Sequence, residues 1–331
     1  MLSVQNTITN FPTAPHLPAM MLFAGSANPA LAAEVAEHLG IPLGDLQITR
    51  FADGELYVNF EESVRGADVF LLQPTCPPID QNLLELLVMV DALKRAAAGK
   101  ITCVLPYYGY GRQEKKDAPR EPITAKLIAN ILVTAGANHV VTMDLHADAI
   151  QGFFDIPVDH LTALHTISDY LAGKNWSGKD IVVVSPDEGR VKKVRRVAGR
   201  LGCPLAVGYK THPEHGVSDI THLAGDVRGK TCIVYDDMIS SGGSINEIVD
   251  ALLSHGAKPE ITVATTHALL VGKAMERLAR PEIAELIITD TIPLPNEKRL
   301  PKITQLSVAP LFAAAIRAIW SDGSVSRLFD Y

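Results

Sequence analysis

Tyr235-Asp236-Asp237-Met238-Ile239-Ser240-Ser241-Gly242-Gly243-Ser244 stands between two patterns of different period. Residues 232–234 before it form an apolar β-type run, and residues 245–253 after it repeat at helical spacing. A pair of acids leaves the end of a strand, a glycine pair frees the backbone, serines surround it, and a helix begins. A helix start carries unpaired N–H groups and a partial positive charge, so an anion binds there at little cost. Strand, acids, glycines and helix in that order suit a sugar-phosphate or nucleotide site in an α/β sheet. It is not a Walker loop, because no Gly-Lys-Ser/Thr follows, and Gly-x-Gly-x-x-Gly is absent as well. A Gly-Gly pair among serines is by itself an ordinary turn, and only the context sets this one apart.

The same alternation runs through the chain. Apolar β-type runs at 20–24, 68–73, 101–106, 139–143, 180–184, 205–207, 231–235, 261–265 and 285–289 alternate with helical patterns at 29–39, 81–98, 123–134 and 191–201. Gly40 and Gly202 follow two of these helices as C-caps. The alternation predicts an α/β protein with mainly parallel sheets flanked by helices. The halves also echo each other. Val90-Asp91-Ala92-Leu93 precedes Ile101-Thr102 much as Val249-Asp250-Ala251-Leu252 precedes Ile261-Thr262. Two similar domains are therefore expected: residues 19–163, with segment 319–331 packing on them, and residues 164–318. A loose arm of prolines, Asn and Thr is expected over residues 1–18. Where the second half has its glycine loop, the first has Pro74-Thr75-Cys76-Pro77-Pro78, whose prolines lack amide donors.

Composition narrows the class. A chain of 331 residues, 47% hydrophobic and 20% charged, has ample core for two soluble globular domains. The net charge of −7 argues against general nucleic-acid binding. Cys76, Cys103, Cys203 and Cys232 are scattered without metal spacing and read as reduced thiols of a cytoplasmic protein. Residues 1–18 lack the Lys or Arg of a secretory signal, and no apolar run nears the ~20 residues that span a bilayer. No membrane partner is expected.

Other clusters follow strand ends. Asp144-Leu145-His146 follows the run 139–143, where ligands bind in parallel sheets; the alternative is a satisfied surface histidine. Ser185-Pro186-Asp187-Glu188-Gly189 ends another strand, with Asp187 either a metal or sugar ligand or a helix-start acid. Residues 107–116 combine tyrosines, glycines and a basic run, suited to stacking a base beside phosphates or to a solvated loop. Lys210 opens a polar segment to Asp219 that reads as a mobile lid or as plain exposed surface.

Taken in order, these motifs resemble the ribose-phosphate pyrophosphokinase family from about Met21 to Phe329. The matching segments are Arg50-Phe51-Ala52-Asp53-Gly54-Glu55, Tyr108-Gly109-Tyr110-Gly111-Arg112-Gln113, Asp144-Leu145-His146-Ala147 with Ile150 to Asp155, Ser185-Pro186-Asp187, Gly225-Asp226-Val227, and Asp236 to Ile239 with Gly242-Gly243. The resemblance implies two domains of phosphoribosyltransferase type. It also implies transfer of the pyrophosphoryl group of ATP to the 1-hydroxyl of ribose 5-phosphate, with Mg²⁺ as cofactor. By the same resemblance, Phe51, Asp53 and Glu55 of a neighbouring subunit hold adenine beside Arg112, Gln113 and His146. His146 and Asp187 bind Mg²⁺. Asp236 and Asp237 hold the ribose hydroxyls, directly or through a second Mg²⁺, and Ser240, Ser241, Gly242, Gly243 and Ser244 cradle the 5-phosphate. Lys210 and His212 serve catalysis. Arg65, Arg120, Ser324 and Ser326 match parts of an allosteric site for phosphate or ADP, where Asp148 would weaken phosphate activation by repulsion. A dimer-based homohexamer is implied.

Two departures stand out. The family's phosphate loop commonly reads Asp-Thr-x-x-Thr or Ser-Thr-x-x-Thr, and serines here keep the hydroxyls. The family's Lys-x-Arg is Lys210-Thr211-His212, and His lacks the guanidinium fork. An alternative is a weakly active or inactive regulatory relative that binds nucleotide or sugar phosphate.

Overall fold

The computed structural model describes residues 18–329 except 175, 177–179 and 215–216; the side chains of residues 210–214, 217–221 and 329 lie outside that description. The arm expected over residues 1–18 falls, but for Pro18, outside the described residues. The first half runs β1 (Met20–Ala24), α1 (Pro29–Leu39), β2 (Leu46–Arg50), β3 (Leu56–Phe60), β4 (Asp68–Leu72), α2 (Ile79–Arg95), β5 (Lys100–Leu105), α3 (Thr124–Ala135), β6 (His139–Met143) and β7 (Val158–Leu161). The second runs α4 (Leu164–Ala172), β8 (Ile181–Ser185), α5 (Val191–Leu201), β9 (Leu205–Glu214), β10 (Val217–Ala224), β11 (Thr231–Ile239), α6 (Gly243–Ser254), β12 (Ile261–Ala268), α7 (Ala274–Leu278), β13 (Ile283–Thr289), β14 (Ile303–Leu306) and α8 (Ala309–Trp320).

Two parallel sheets result. One has five strands in the order β1-β4-β5-β6-β7; the other has seven in the order β10-β9-β8-β11-β12-β13-β14. Within these two sheets, among the described residues, only β10, at an edge, pairs antiparallel. Strands β6, β8 and β12 are buried along their whole length, as strands covered by helices on both faces must be. The internal echo is real at the level of topology. The β4-to-β5 unit aligns Phe70 with Thr102, and β11-to-β12 aligns Ile233 with Thr262. An antiparallel pair follows the first strand and helix in both halves: β2 with β3, and β9 with β10.

Local chemistry sets the element ends. Asn28 caps α1 by accepting from the Leu31 N–H at 3.3 Å, Pro29 starts it, and Gly40 ends it at φ +72°. Two strand ends differ from expectation. The strand read as 231–235 continues to Ile239, because β12 offers it a parallel partner as far as Ala268. Asp236 and Asp237 therefore lie within the strand and not beyond its end. The strand read as 205–207 runs to Glu214, so the polar segment that begins at Lys210 supplies the end of β9 and, from Val217, the start of β10. Such an edge pair is held by backbone bonds and need not show an apolar pattern.

Helices α1, α4, α5 and α8 lie between the inner faces of the two sheets in one continuous apolar cluster that includes Leu22, Leu31, Phe70, Val183, Tyr235 and Phe312. Helices α2 and α3 cover the outer face of the first sheet, and α6 and α7 that of the second. Helix α8 packs back on α1: Arg317 donates to the carbonyls of His38 and Leu39 at 3.0 and 3.2 Å, and Trp320 Nε1 donates to Pro18 O at 2.8 Å. An inter-sheet contact of this apolar character holds the halves in one orientation.

A polar tie reinforces it. Asp144, 2% exposed, follows β6 at φ +39° and accepts from Thr162 Oγ1, the Ala163 N–H and Thr266 Oγ1 at 2.7–2.9 Å. Lys193 of α5 lies 3.5 Å from Asp144 Oδ1, the oxygen that also accepts from Thr162. Beside it, His267 Nε2 faces the carbonyls of Met143 and Asp144 at 3.1 and 3.2 Å. Burial keeps the His267 imidazole below its ordinary pKa, so it crosses the interface as a neutral donor.

Candidate active site

The C-terminal ends of β6, β8 and β11 meet at a cavity of about 230 Å³. It is lined by Arg112, His146, Asp187, Arg190, Asp236, Asp237 and the whole of residues 238–245. This is where a ligand binds in an open parallel sheet. The glycine loop forms its floor. Gly242 is the N-cap of α6 at φ +73°, a conformation that suits glycine, and α6 begins at Gly243. The loop is braced from behind: the amides of Leu269 and Leu270 donate to Ile239 O, Val271 N to Ser240 O, and Arg277 Nη1 to Ser241 O at 2.9 Å. A braced helix start with hydroxyls around it can hold a phosphate without reorganising.

The acid pair forms one wall. The Asp237 side chain is 1% exposed; its Oδ2 lies 3.0 Å from His146 Nδ1, and its Oδ1 lies 3.0 Å from Arg190 Nε. Asp236 Oδ1 accepts the Asp237 N–H at 2.8 Å and lies 3.5 Å from Arg190 Nε. Burial alone would raise both carboxyls. For Asp237 the His146 hydrogen bond and the Arg190 charge overcome it, holding this carboxyl below the usual range. Asp236 is pushed well above that range, first by burial and then by the charge of Asp237.

A second cavity adjoins the first. Pro77, Ile79, Tyr107, Tyr110, Gln113 and Val271 line it, and Arg112 and Ser240 line both cavities. Gln113 is held by Thr124, whose Oγ1 donates to Gln113 Oε1 at 2.6 Å. The pair of cavities thus offers an anion cradle with acids on one side and an aromatic-walled cleft on the other.

The remaining expected residues are distributed differently. Phe51, 56% exposed, and Asp53 and Glu55 sit at the tip of the β2–β3 hairpin and do not line either cavity. Arg65, Arg120, Ser324 and Ser326 are exposed on separate segments; Ser324 and Ser326 pair with each other at 2.6 Å. Lys210 and His212 lie on β9, and their side chains are outside the described residues. Arg190 was not anticipated. It directly follows the Ser185 to Gly189 motif and opens a basic run, which in sequence reads as a solvated face. As to metals, no group of three His, Cys, Asp or Glu side chains converges on one point among the described residues. Asp187 brings a carboxylate to the cavity, whereas both His146 nitrogens face Arg190, at 2.8 and 3.3 Å. A hard cation that draws most of its shell from ligand phosphates and water suits Asp187; His146 could join it only by releasing Arg190.

Comparison with known proteins places this geometry. Residues 20–136 match the N-terminal domain of ribose phosphate pyrophosphokinase, and residues 218–330 match the phosphoribosyl synthetase-associated domain. The ribose-phosphate pyrophosphokinase of Caldanaerobacter subterraneus subsp. tengcongensis is 51% identical over 310 residues, covering 94% of this chain and 98% of that one. The chain belongs to the ribose-phosphate pyrophosphokinase family. The Bacillus caldolyticus member of the family is 50% identical over 311 residues, again with 94% and 98% covered. The crystal structure of phosphoribosylpyrophosphate synthetase from Mycobacterium smegmatis superposes with a TM-score of 0.86 at 47% identity, covering 92% of this chain and all of that one. Two domains of phosphoribosyltransferase type, each a parallel sheet flanked by helices, are therefore the architecture of this family member. Among the described residues, no helix is long and apolar enough to cross a membrane.

Proposed function

We propose that this chain transfers the β,γ-pyrophosphoryl group of ATP to the 1-hydroxyl of ribose 5-phosphate, giving phosphoribosyl pyrophosphate and AMP. The observation that carries this reading is the joined pair of cavities, which share Arg112 and Ser240. The 5-phosphate sits at Ser240 to Ser244 on the start of α6, and the ribose hydroxyls face Asp236 and Asp237. Adenine lies in the tyrosine-walled cleft by Arg112 and Gln113. The acceptor oxygen and the β-phosphorus then face each other. The new O1–Pβ bond forms as the bond from Pβ to the bridging oxygen of AMP breaks, and the hydroxyl proton leaves to water. The protein's share is in-line positioning and charge neutralisation. Mg²⁺, when bound, neutralises the phosphate oxygens, and Asp187 would hold it with ATP. Lys210 adds a cation from β9, and His212 supplies a weaker one than arginine would.

The exposed hairpin tip, with Phe51, Asp53 and Glu55, suits delivery of an adenine contact to a neighbouring subunit, so a homo-oligomer, a dimer-based hexamer, is part of this reading. Arg65, Arg120, Ser324 and Ser326 would join across subunits to bind phosphate or ADP. The four free cysteines suit a reducing cytoplasm.

Purified protein with ATP, ribose 5-phosphate and Mg²⁺ is expected to release AMP; no AMP above background would reject the reading. Gly242→Ala tests the cradle. The new Cβ would meet Ala274 Cα at an ordinary 3.5 Å, so backbone strain at φ +73° is the main penalty. A free loop that relaxes to relieve this strain must take it up again to hold the phosphate, and at about 1–2 kcal/mol that raises the KM for ribose 5-phosphate roughly 5- to 30-fold. An unchanged KM would show that the loop does not hold the phosphate.

A further inference from the structure

Arg190 ends the short 3₁₀ turn Glu188–Arg190 that follows β8, with its side chain 13% exposed. Its guanidinium spans both halves of the molecule. Nη1 donates to His146 O at 2.7 Å, and Nη2 lies 2.8 Å from His146 Nδ1. On the other side Nε lies 3.0 Å from Asp237 Oδ1 and 3.5 Å from Asp236 Oδ1. The group is planar, always charged, and fixed by partners on opposite sides. Two buried carboxylates side by side repel each other and favour a cation between them and the open cavity. Here a side chain of the protein already lies against both. It also faces both nitrogens of the imidazole that would otherwise share in holding a metal on this side of the site.

We propose that Arg190 is a built-in counter-ion of the acid pair, so that ribose 5-phosphate binds Asp236 and Asp237 without a metal ion between them. The proposal rests on the functional reading above. Under it, the metal requirement of the reaction belongs to ATP and Asp187, and the acceptor half of the site is assembled without metal. A purely structural Arg190, tying His146 to the acid pair, would leave sugar binding indifferent to the substitution of Arg190 by a neutral residue once the protein is folded.

The test uses full-length protein stripped with chelator and without ATP, titrated with ribose 5-phosphate in the presence and absence of MgCl₂. The wild type is expected to bind with the same affinity, within about twofold, in both media. Arg190→Gln should lose roughly 10- to 100-fold in affinity without Mg²⁺, as loss of a charge-assisted contact does, and regain most of it with Mg²⁺. Mn²⁺ titration followed by electron paramagnetic resonance, with the sugar phosphate bound, should then count one more ion in Arg190→Gln than in wild type. If Arg190→Gln does not fold, Arg190→Lys keeps the charge and should retain Mg²⁺-independent binding. A wild type that needs Mg²⁺ to bind the sugar phosphate overturns the proposal. So does an Arg190→Gln variant that matches wild type in both media, or a Lys variant that binds only with Mg²⁺. Absence of ribose 5-phosphate binding by wild type in both media also overturns the proposal, whereas failure of the functional reading shows as no AMP release in the complete assay, which separates the two failures.

Discussion

Asp237→Asn is expected to lower kcat/KM for ribose 5-phosphate by on the order of 10²–10³-fold, as loss of one preorganised polar contact does in other active sites. The substitution keeps the shape of the side chain and removes its charge. In the native protein that charge is secured against nearly complete burial by His146 on one oxygen and Arg190 on the other. An amide at this position offers one acceptor where there were two, and it places an N–H₂ donor against one of two cationic or donor groups. Under the proposed function the sugar hydroxyls lose a charged acceptor, and Arg190 loses its nearest carboxylate. Both effects fall on the acceptor side, so the KM for ATP should move far less than that for ribose 5-phosphate. Equal losses for the two substrates, with a lowered melting temperature, would mean that Asp237 serves the fold and not the sugar.

The second large effect concerns stability. Asp144→Ala should destabilise the protein by roughly 3–5 kcal/mol, the cost of breaking a buried charged pair by removing one partner. The carboxylate accepts from Thr162, the Ala163 N–H and Thr266 and faces Lys193, so its loss leaves donors from both halves unpaired. Alanine also tolerates φ +39° less well than aspartate. Asp144→Asn keeps an acceptor and should cost less. The effect has a defined pH dependence. Burial tends to raise the Asp144 carboxyl, but Lys193, the Ala163 N–H and Thr266 bring it below its ordinary value. Its charge therefore contributes fully above the unfolded-state pKa of about 3.9 and is lost as pH falls through the lower folded value. The gap in melting temperature between wild type and Asp144→Asn should be complete at neutral pH and close only in strong acid. Superimposable calorimetric curves for wild type and Asp144→Ala at pH 7 would refute the account.

The parts of this molecule that could be read from its sequence are those with local causes. Strand β11, the glycine loop and α6 follow one another with their periods and turn residues intact, and Gly40 and Gly202 end α1 and α5 at positive φ. The hairpin β2–β3 was legible only as a turn around residues 50–55, although Leu46 and Ile48, then Leu56, Val58 and Phe60, alternate as a strand pair should. Arg190 and Asp144 lie at the other extreme. Arg190 belongs to a basic stretch indistinguishable from a solvated helix face until the fold turns it toward residues 146 and 237. The contact between Asp144 and Thr266 spans 122 residues, and nothing near either position announces it. Side chains whose partners are distant in sequence carry no periodic or motif signal of their own.

That separation also bears on how the chain is made. Helix α1 is completed early, yet Arg317 on α8, which caps its last carbonyls, lies 279 residues from His38. At roughly 5–20 residues per second, the apolar face of α1 stays uncovered on its α8 side for about 15–55 s of synthesis. The first sheet can form during this interval, but its inner face cannot be closed. A nascent or prematurely ended chain therefore presents an apolar, aggregation-prone surface, and docking of α8 is the step that covers it in the folded enzyme.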